Sequence, residues 1–185
     1  MKKIVCPIFI MINVFFGVCY GGHYLVHSIE GAAFCGDKLL KANDKIDLDC
    51  QINTHARSNV FLKAEGNLLA FGENVKGVIK GVDDIMLNSG MLRVTNGAPL
   101  KVLTPLGSIY LKQGVYLTKL GTFLNEVEVI TFSGEAKFSS SVKENDFVHI
   151  LPGHWGGVGG RFGSKIGNLL KLNSEQTKVF KIILN

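Results

Sequence analysis

The sequence has no stretch of long helical hydrophobic period, no phosphate-cradling loop, no dinucleotide fingerprint and no nucleophile elbow. Gly163, Ser164 and Lys165 place serine and lysine in the wrong order for a P-loop, and Phe162 stands at the third glycine position after Gly157 and Gly159. The run Ser139, Ser140 and Ser141 is turn material with no G-x-S-x-G around it. Charge is sparse too: the formal net charge is +5, and losing Lys2 and Lys3 with a cleaved leader would lower it to +3. That is too mild for a nucleic-acid binder. Most of the excess lies in a basic C-terminal tail, where Arg161, Lys165, Lys171, Lys178 and Lys181 face only Glu175.

Metal and acid–base chemistry are thinly represented. His23 and His27 have the spacing of a helical metal pair, but they lie in a segment expected to be unstructured and have no acidic third ligand nearby. His149 and His154, near Trp155, read as surface or packing residues. The acidic pairs Asp47 with Asp49, Asp83 with Asp84, and Glu126 with Glu128 read as solvated; on a strand the last pair shares one face and is expected to meet water. No catalytic residue, metal site or cofactor is expected, and the chain does not read as an enzyme.

A charged start at Lys2 and Lys3, an apolar run from Ile4 to Cys19, and then Gly21 and Gly22 read as a secretory signal peptide over residues 1–21. The run contains Pro7 and Asn13 and is shorter than the roughly 20 residues a spanning helix needs. Cleavage is expected after Cys19 or Gly21. A lipidated Cys19 is the alternative, which Phe16 and Val18 fit badly. After cleavage no stable transmembrane span is expected, and the destination is the periplasm or the exterior. Cys35 and Cys50 then remain as an even pair in an oxidising compartment. A bridge between them would stabilise by about 3 kcal/mol; two unpaired thiols are the other reading, because spacing does not bring the Cα atoms together.

The texture of the chain is β. From Asn59 onward, short apolar runs are broken roughly every 8 to 12 residues by Gly, Asn or Asp, which is the spacing of an all-β sandwich, roll or solenoid. Alternation is clearest from Glu126 to Phe132. Further strands are expected at Asn59 to Lys63, Asn67 to Phe71, Val78 to Lys80, Asp84 to Leu87, Gly90 to Val94, Leu100 to Leu103, Gly107 to Leu111, Gly114 to Leu120, Glu135 to Ser139 and Phe147 to Leu151. Asn96 with Gly97 predicts a two-residue hairpin. Gly114 permits a bulge, and Pro105 predicts that the strand before it ends or lies at an edge.

The order of these pieces resembles the FecR domain, an extracytoplasmic all-β module of bacteria. The likeness rests on Gly36 to Leu40 with Ala42 to Ile46, on Asn59 to Ala64 with Gly66 to Leu69, on Asp84 to Val94 followed by Val102 to Pro105, and on Glu128 to Ala136 with Glu144 to Leu151 as a closing strand. The chain departs from the family pattern at Lys112 to Leu117, where it keeps the glycine and lacks the usual arginine and threonine. The resemblance implies a FecR-like β-sandwich, roll or short solenoid of about ten to twelve short strands. On this reading 22–35 is an N-terminal segment, 36–153 the β domain, 154–167 a glycine-rich linker, and 168–185 an apolar and basic C-terminal segment.

The resemblance also implies a sensing or adaptor role outside the cytoplasm. Only two lysines precede the apolar run, so the cytoplasmic sigma-factor-binding segment of the best understood members is not expected. What remains is a non-catalytic envelope module that binds an envelope or outer-membrane protein, by a strand edge or through the C-terminal segment. There Val179, Phe180 and Ile182, rimmed by Lys178 and Lys181, form the candidate partner surface. A carbohydrate or peptidoglycan binder is the alternative, with Trp155 and Tyr116 as stacking platforms and the basic tail toward cell-wall polymer.

Overall fold

The computed structural model describes residues 23–121, 125–141 and 143–183, without the side chains of residue 161 and of residues 179–183. The expected signal peptide and both of its expected cleavage points lie outside the described residues. The fold is all-β apart from one turn of 3-10 helix at Gly160–Phe162 and a final helix α1 at Ser174–Ile183. Among the described residues no helix is long and apolar enough to cross a membrane.

The strands form two ladders. The front sheet runs in the order β4 (Lys45–Ile46), β1 (Tyr24–Glu30), β6 (Asn59–Ala64), β7 (Asn67–Phe71), the second half of β9 (Asp84–Asn96), β12 (Gly114–Gly121), β13 (Glu126–Ser133), β16 (His154–Gly159) and β17 (Leu170–Lys171). The back sheet runs β3 (Lys38–Leu39), β2 (Ala33–Cys35), β5 (Cys50–Thr54), β8 (Lys76–Ile79), the first half of β9, β10 (Leu100–Thr104), β11 (Gly107–Leu111), β14 (Ala136–Ser140) and β15 (Phe147–Ile150). Because β9 belongs to both, the 17 strands of the described residues join one hydrogen-bonded network.

Alternation builds the core between the layers. On β6, Val60, Leu62 and Ala64 face inward, and on β7 Asn67, Leu69 and Phe71 do. The back sheet answers with Ile52, Ile79, Ile85, Leu87, Val102, Ile109 and Phe138 in the same apolar cluster. Burying one face of each strand in this way supplies the hydrophobic term that holds the two layers together.

Several expectations need correction. Asp84 to Leu87 and Gly90 to Val94 are one strand, bent at Gly90, where φ is +86° and a Cβ would lie 2.7 Å from Val75. A glycine is required there because no L side chain fits either the backbone or the space. Asn96 and Gly97 make no hairpin: neither has positive φ, and the chain turns instead from the front sheet to the back, where β10 runs parallel to the start of β9. Asn96 is buried and its amide donates to the Ala98 carbonyl at 2.6 Å, closing this corner. The tight positive-φ pair occurs at Glu65 and Gly66, between β6 and β7.

The segment 22–35 is not a separate piece, since β1 and β2 are integral strands, and His27 therefore lies on a strand rather than in a helical pair. Nor is the glycine-rich stretch a linker. Residues of β16 pair with β13 along its length, and the bare backbone of its glycines allows close packing: a Cβ at Gly157 would lie 2.3 Å from the Val127 carbonyl. Elsewhere the expectations match: β10 ends at Thr104 before Pro105, and a register shift falls between Val115 and Tyr116, beside Gly114.

Candidate groove on the back sheet

Cys35 and Cys50 are joined as a disulfide with Cα atoms 5.5 Å apart, linking β2 to the start of its neighbour β5. The other residues expected to matter are placed differently. Glu126 and Glu128 do not meet water: they are 3 % and 7 % exposed, because β13 is central in the front sheet and covered on both faces. Tyr116 is no stacking platform, since it is fully buried, with its hydroxyl accepting the Glu135 amide at 2.9 Å and within 2.9 Å of the Lys112 carbonyl as donor. Burial raises its pKa. Trp155 stacks edge-on against Phe162 at 5.7 Å, beside a small cluster of Leu117, Ile130 and Leu172 on the outer face of the front sheet. It is thus part of a packed surface and not an open platform.

Lys178 is exposed on α1. The side chains of Val179, Phe180, Lys181 and Ile182 lie outside the described residues. Leu172, just before that helix, is 8 % exposed and packs with Leu117 and Ile130, so the start of the C-terminal segment is docked on the domain.

A groove of about 470 Å³ lies on the outer face of the back sheet. The pairing registers explain its shape. Asp84 lies opposite Lys101, Lys101 opposite Tyr110, Tyr110 opposite Lys137, and Lys137 opposite His149, so one row of outward side chains crosses five strands. Pro99, Lys112 and Glu135 stand on the other side, and Leu100 and Leu111, whose side chains point into the core, contribute to the lining between them. Strands are spaced about 4.8 Å apart, so the row is roughly 19 Å long.

Its charges are balanced. Lys112 Nζ meets Glu135 Oε2 at 2.6 Å and His149 Nδ1 meets Glu135 Oε1 at 2.5 Å. These two partners, the lysine first, hold the Glu135 carboxyl below the usual carboxylate range. Lys101 Nζ sits 5.5 Å from the centre of the Tyr110 ring, and Lys137 Nζ 4.4 Å from that of Phe147, both within cation–π reach. Asp84 Oδ1 is buried with no hydrogen-bond donor. The lining contains no serine, threonine or cysteine. Among the described residues no cluster of three His, Cys, Asp or Glu could hold a metal.

Beside the groove is the edge of the back sheet. Among the described residues β15 pairs only with β14, and the Ser140 amide bonded to the Asp146 carbonyl sets the phase of that ladder. Antiparallel alternation then directs the N–H and C=O groups of Phe147 and His149 away from β14. The other sheet ends, β3, β4 and β17, are two residues each. Phe147 is 52 % exposed.

Sequence reasoning identified none of the groove as a site, although Tyr110, Lys101, Lys137 and Asp84 all occupy expected strands. Their outward phase was readable, but the row depends on which strand lies beside which.

Among solved structures, the fold is similar to that of a candidate anti-sigma factor from Parabacteroides distasonis ATCC 8503, solved at 1.65 Å, with a TM-score of 0.56 and 13% identity over 72% of this chain and 64% of that one. A second candidate anti-sigma factor structure from the same organism, at 2.50 Å, has a TM-score of 0.43 and 15% identity over 73% of this chain and 60% of that one. The chain thus spans less than two thirds of each of these proteins. No protein-family model and no curated protein matches the chain.

Proposed function

We propose that the chain is a non-catalytic envelope module of the FecR-like type, periplasmic or secreted, with a sensing or adaptor role carried out by protein binding. The observation that carries this reading is the open β15 edge. Two residues there, Phe147 and His149, present backbone donors and acceptors outward with no partner strand among the described residues, and β15 itself holds neither a proline nor a lysine, which commonly blunt exposed edges. An extended segment of an envelope or outer-membrane protein would add to it as a further strand, with an apolar side chain against Phe147. The likeness in fold to a candidate anti-sigma factor supports a regulatory setting, and the Cys35–Cys50 bridge supports an oxidising one.

The test substitutes Phe147→Pro. The amide lost points out of the sheet, so the β14 ladder keeps its bonds while the outward edge loses a donor. Partners captured from envelope extract by the wild-type protein should be lost with this variant while its melting temperature stays within about 3 °C. Equal capture by both proteins would refute the edge as the docking element.

A further inference from the structure

We infer that the transverse groove of the back sheet binds a neutral, linear carbohydrate chain, a role independent of the β15 edge. The first reason is shape. The groove crosses five strands and is open along its length, so it suits an elongated chain laid across the sheet rather than a compact ligand enclosed in a cavity.

The second reason is charge. Asp83, Asp84 and Glu135 face Lys101, Lys112 and Lys137, three carboxylates to three ammonium groups interspersed along the lining. A polyanion would meet the carboxylates and a polycation the lysines, and like charges brought together cost affinity. A neutral ligand rich in hydroxyl groups meets no such conflict, because each hydroxyl both donates and accepts. It would donate to carboxylates and accept from lysines.

The third reason is what the groove withholds from a peptide. β10 and β11, which form its middle, are paired on both sides, so their backbone groups are consumed and only side chains remain to recognise a ligand. Strand addition cannot occur there. At the centre of the row, Tyr110 is 49 % exposed, presenting a ring with an apolar face and a polar rim against which the C–H face of a sugar ring can stack.

Isothermal titration calorimetry on the full chain, exported and purified, tests this with cello-, xylo-, manno- and malto-hexaose, and with chitohexaose to represent an N-acetylated wall glycan. At least one is expected to bind with a Kd of about 1 mM or tighter, and which arm responds identifies the source of the glycan. Tyr110→Ala should weaken that binding roughly tenfold, and Asp84→Asn should weaken it too, at unchanged melting temperature. A saturating concentration of the bound hexasaccharide should leave capture of the envelope partner by the β15 edge unaltered, so the groove and the edge stand or fall separately. Absence of heat with every hexasaccharide at about 5 mM, or wild-type affinity in both groove variants, overturns the inference. So does displacement of a bound sugar by short acidic or basic peptides at lower concentration.

Discussion

The Tyr116 hydroxyl accepts the backbone amide of Glu135 at 2.9 Å, and so ties the inner face of the front sheet to the first residue before β14 in the back sheet. Two glycines make room for it: a Cβ at Gly114 would lie 2.7 Å from that oxygen and one at Gly134 would lie closer still. The same Glu135 carries the carboxylate that organises Lys112 and His149 at the end of the groove.

Tyr116→Phe keeps the ring in the core and removes the hydroxyl, leaving the part-buried Glu135 amide without its partner. A loss of about 1 to 3 kcal/mol is expected. At roughly 2 to 4 °C per kcal/mol for a chain of this size, thermal unfolding followed by circular dichroism should shift down by several degrees. An unchanged midpoint would show that water replaces the hydroxyl at no cost.

Replacing both Cys35 and Cys50 with alanine frees a loop of sequence separation 15. The expected destabilisation is about 3 kcal/mol in the chain-entropy model. Comparing midpoints of the double variant and the wild type in denaturant checks it. Thiol labelling of the denatured, unreduced wild-type protein should find neither cysteine free.

Deletion after Gly167 removes β17 and Leu172, baring Leu117 and Ile130 on the outer face of the front sheet. Exposing those two side chains should cost about 1 to 3 kcal/mol and lower the melting temperature by several degrees. A truncated protein that melts with the full chain would show the docked segment to be energetically passive.

Acid should loosen the Glu135 cluster. Its carboxyl is held low by Lys112 and then His149, so its stabilising contribution is complete above the unfolded carboxylate pKa of about 4.3 and is lost as pH falls through the lower folded value. The group is at the surface, so the effect is small and weakens with salt. Melting temperatures of wild type and Glu135→Gln, measured from about pH 6 to about pH 2, should converge in the acid range. Parallel curves would count against a contribution from this carboxylate.

Much of the fold was legible in the chain itself. β7 and β11 run from Asn67 to Phe71 and from Gly107 to Leu111, the bounds that alternation and glycine punctuation predict. The start of helix α1 is also written locally in the chain. Asn173 and Gln176 bond reciprocally, the Asn173 side chain accepting the Gln176 amide at 2.8 Å and the Gln176 side chain accepting the Asn173 amide at 3.0 Å, a capping box written in two residues three positions apart.

By itself the sequence determined that this protein is built of short strands, which side chains share a face of each, and that Cys35 and Cys50 form an even pair, because these properties depend on residues close together along the chain. Only the tertiary structure decided that Glu126 and Glu128 are covered, that glycines 156 and 157 belong to a paired strand, and that Asp84, Lys101, Tyr110, Lys137 and His149 stand in one row. The reason is that alternation sets the phase within a strand but not the neighbour across it. Neighbours are chosen by loop closure and by burial of the whole apolar surface at once.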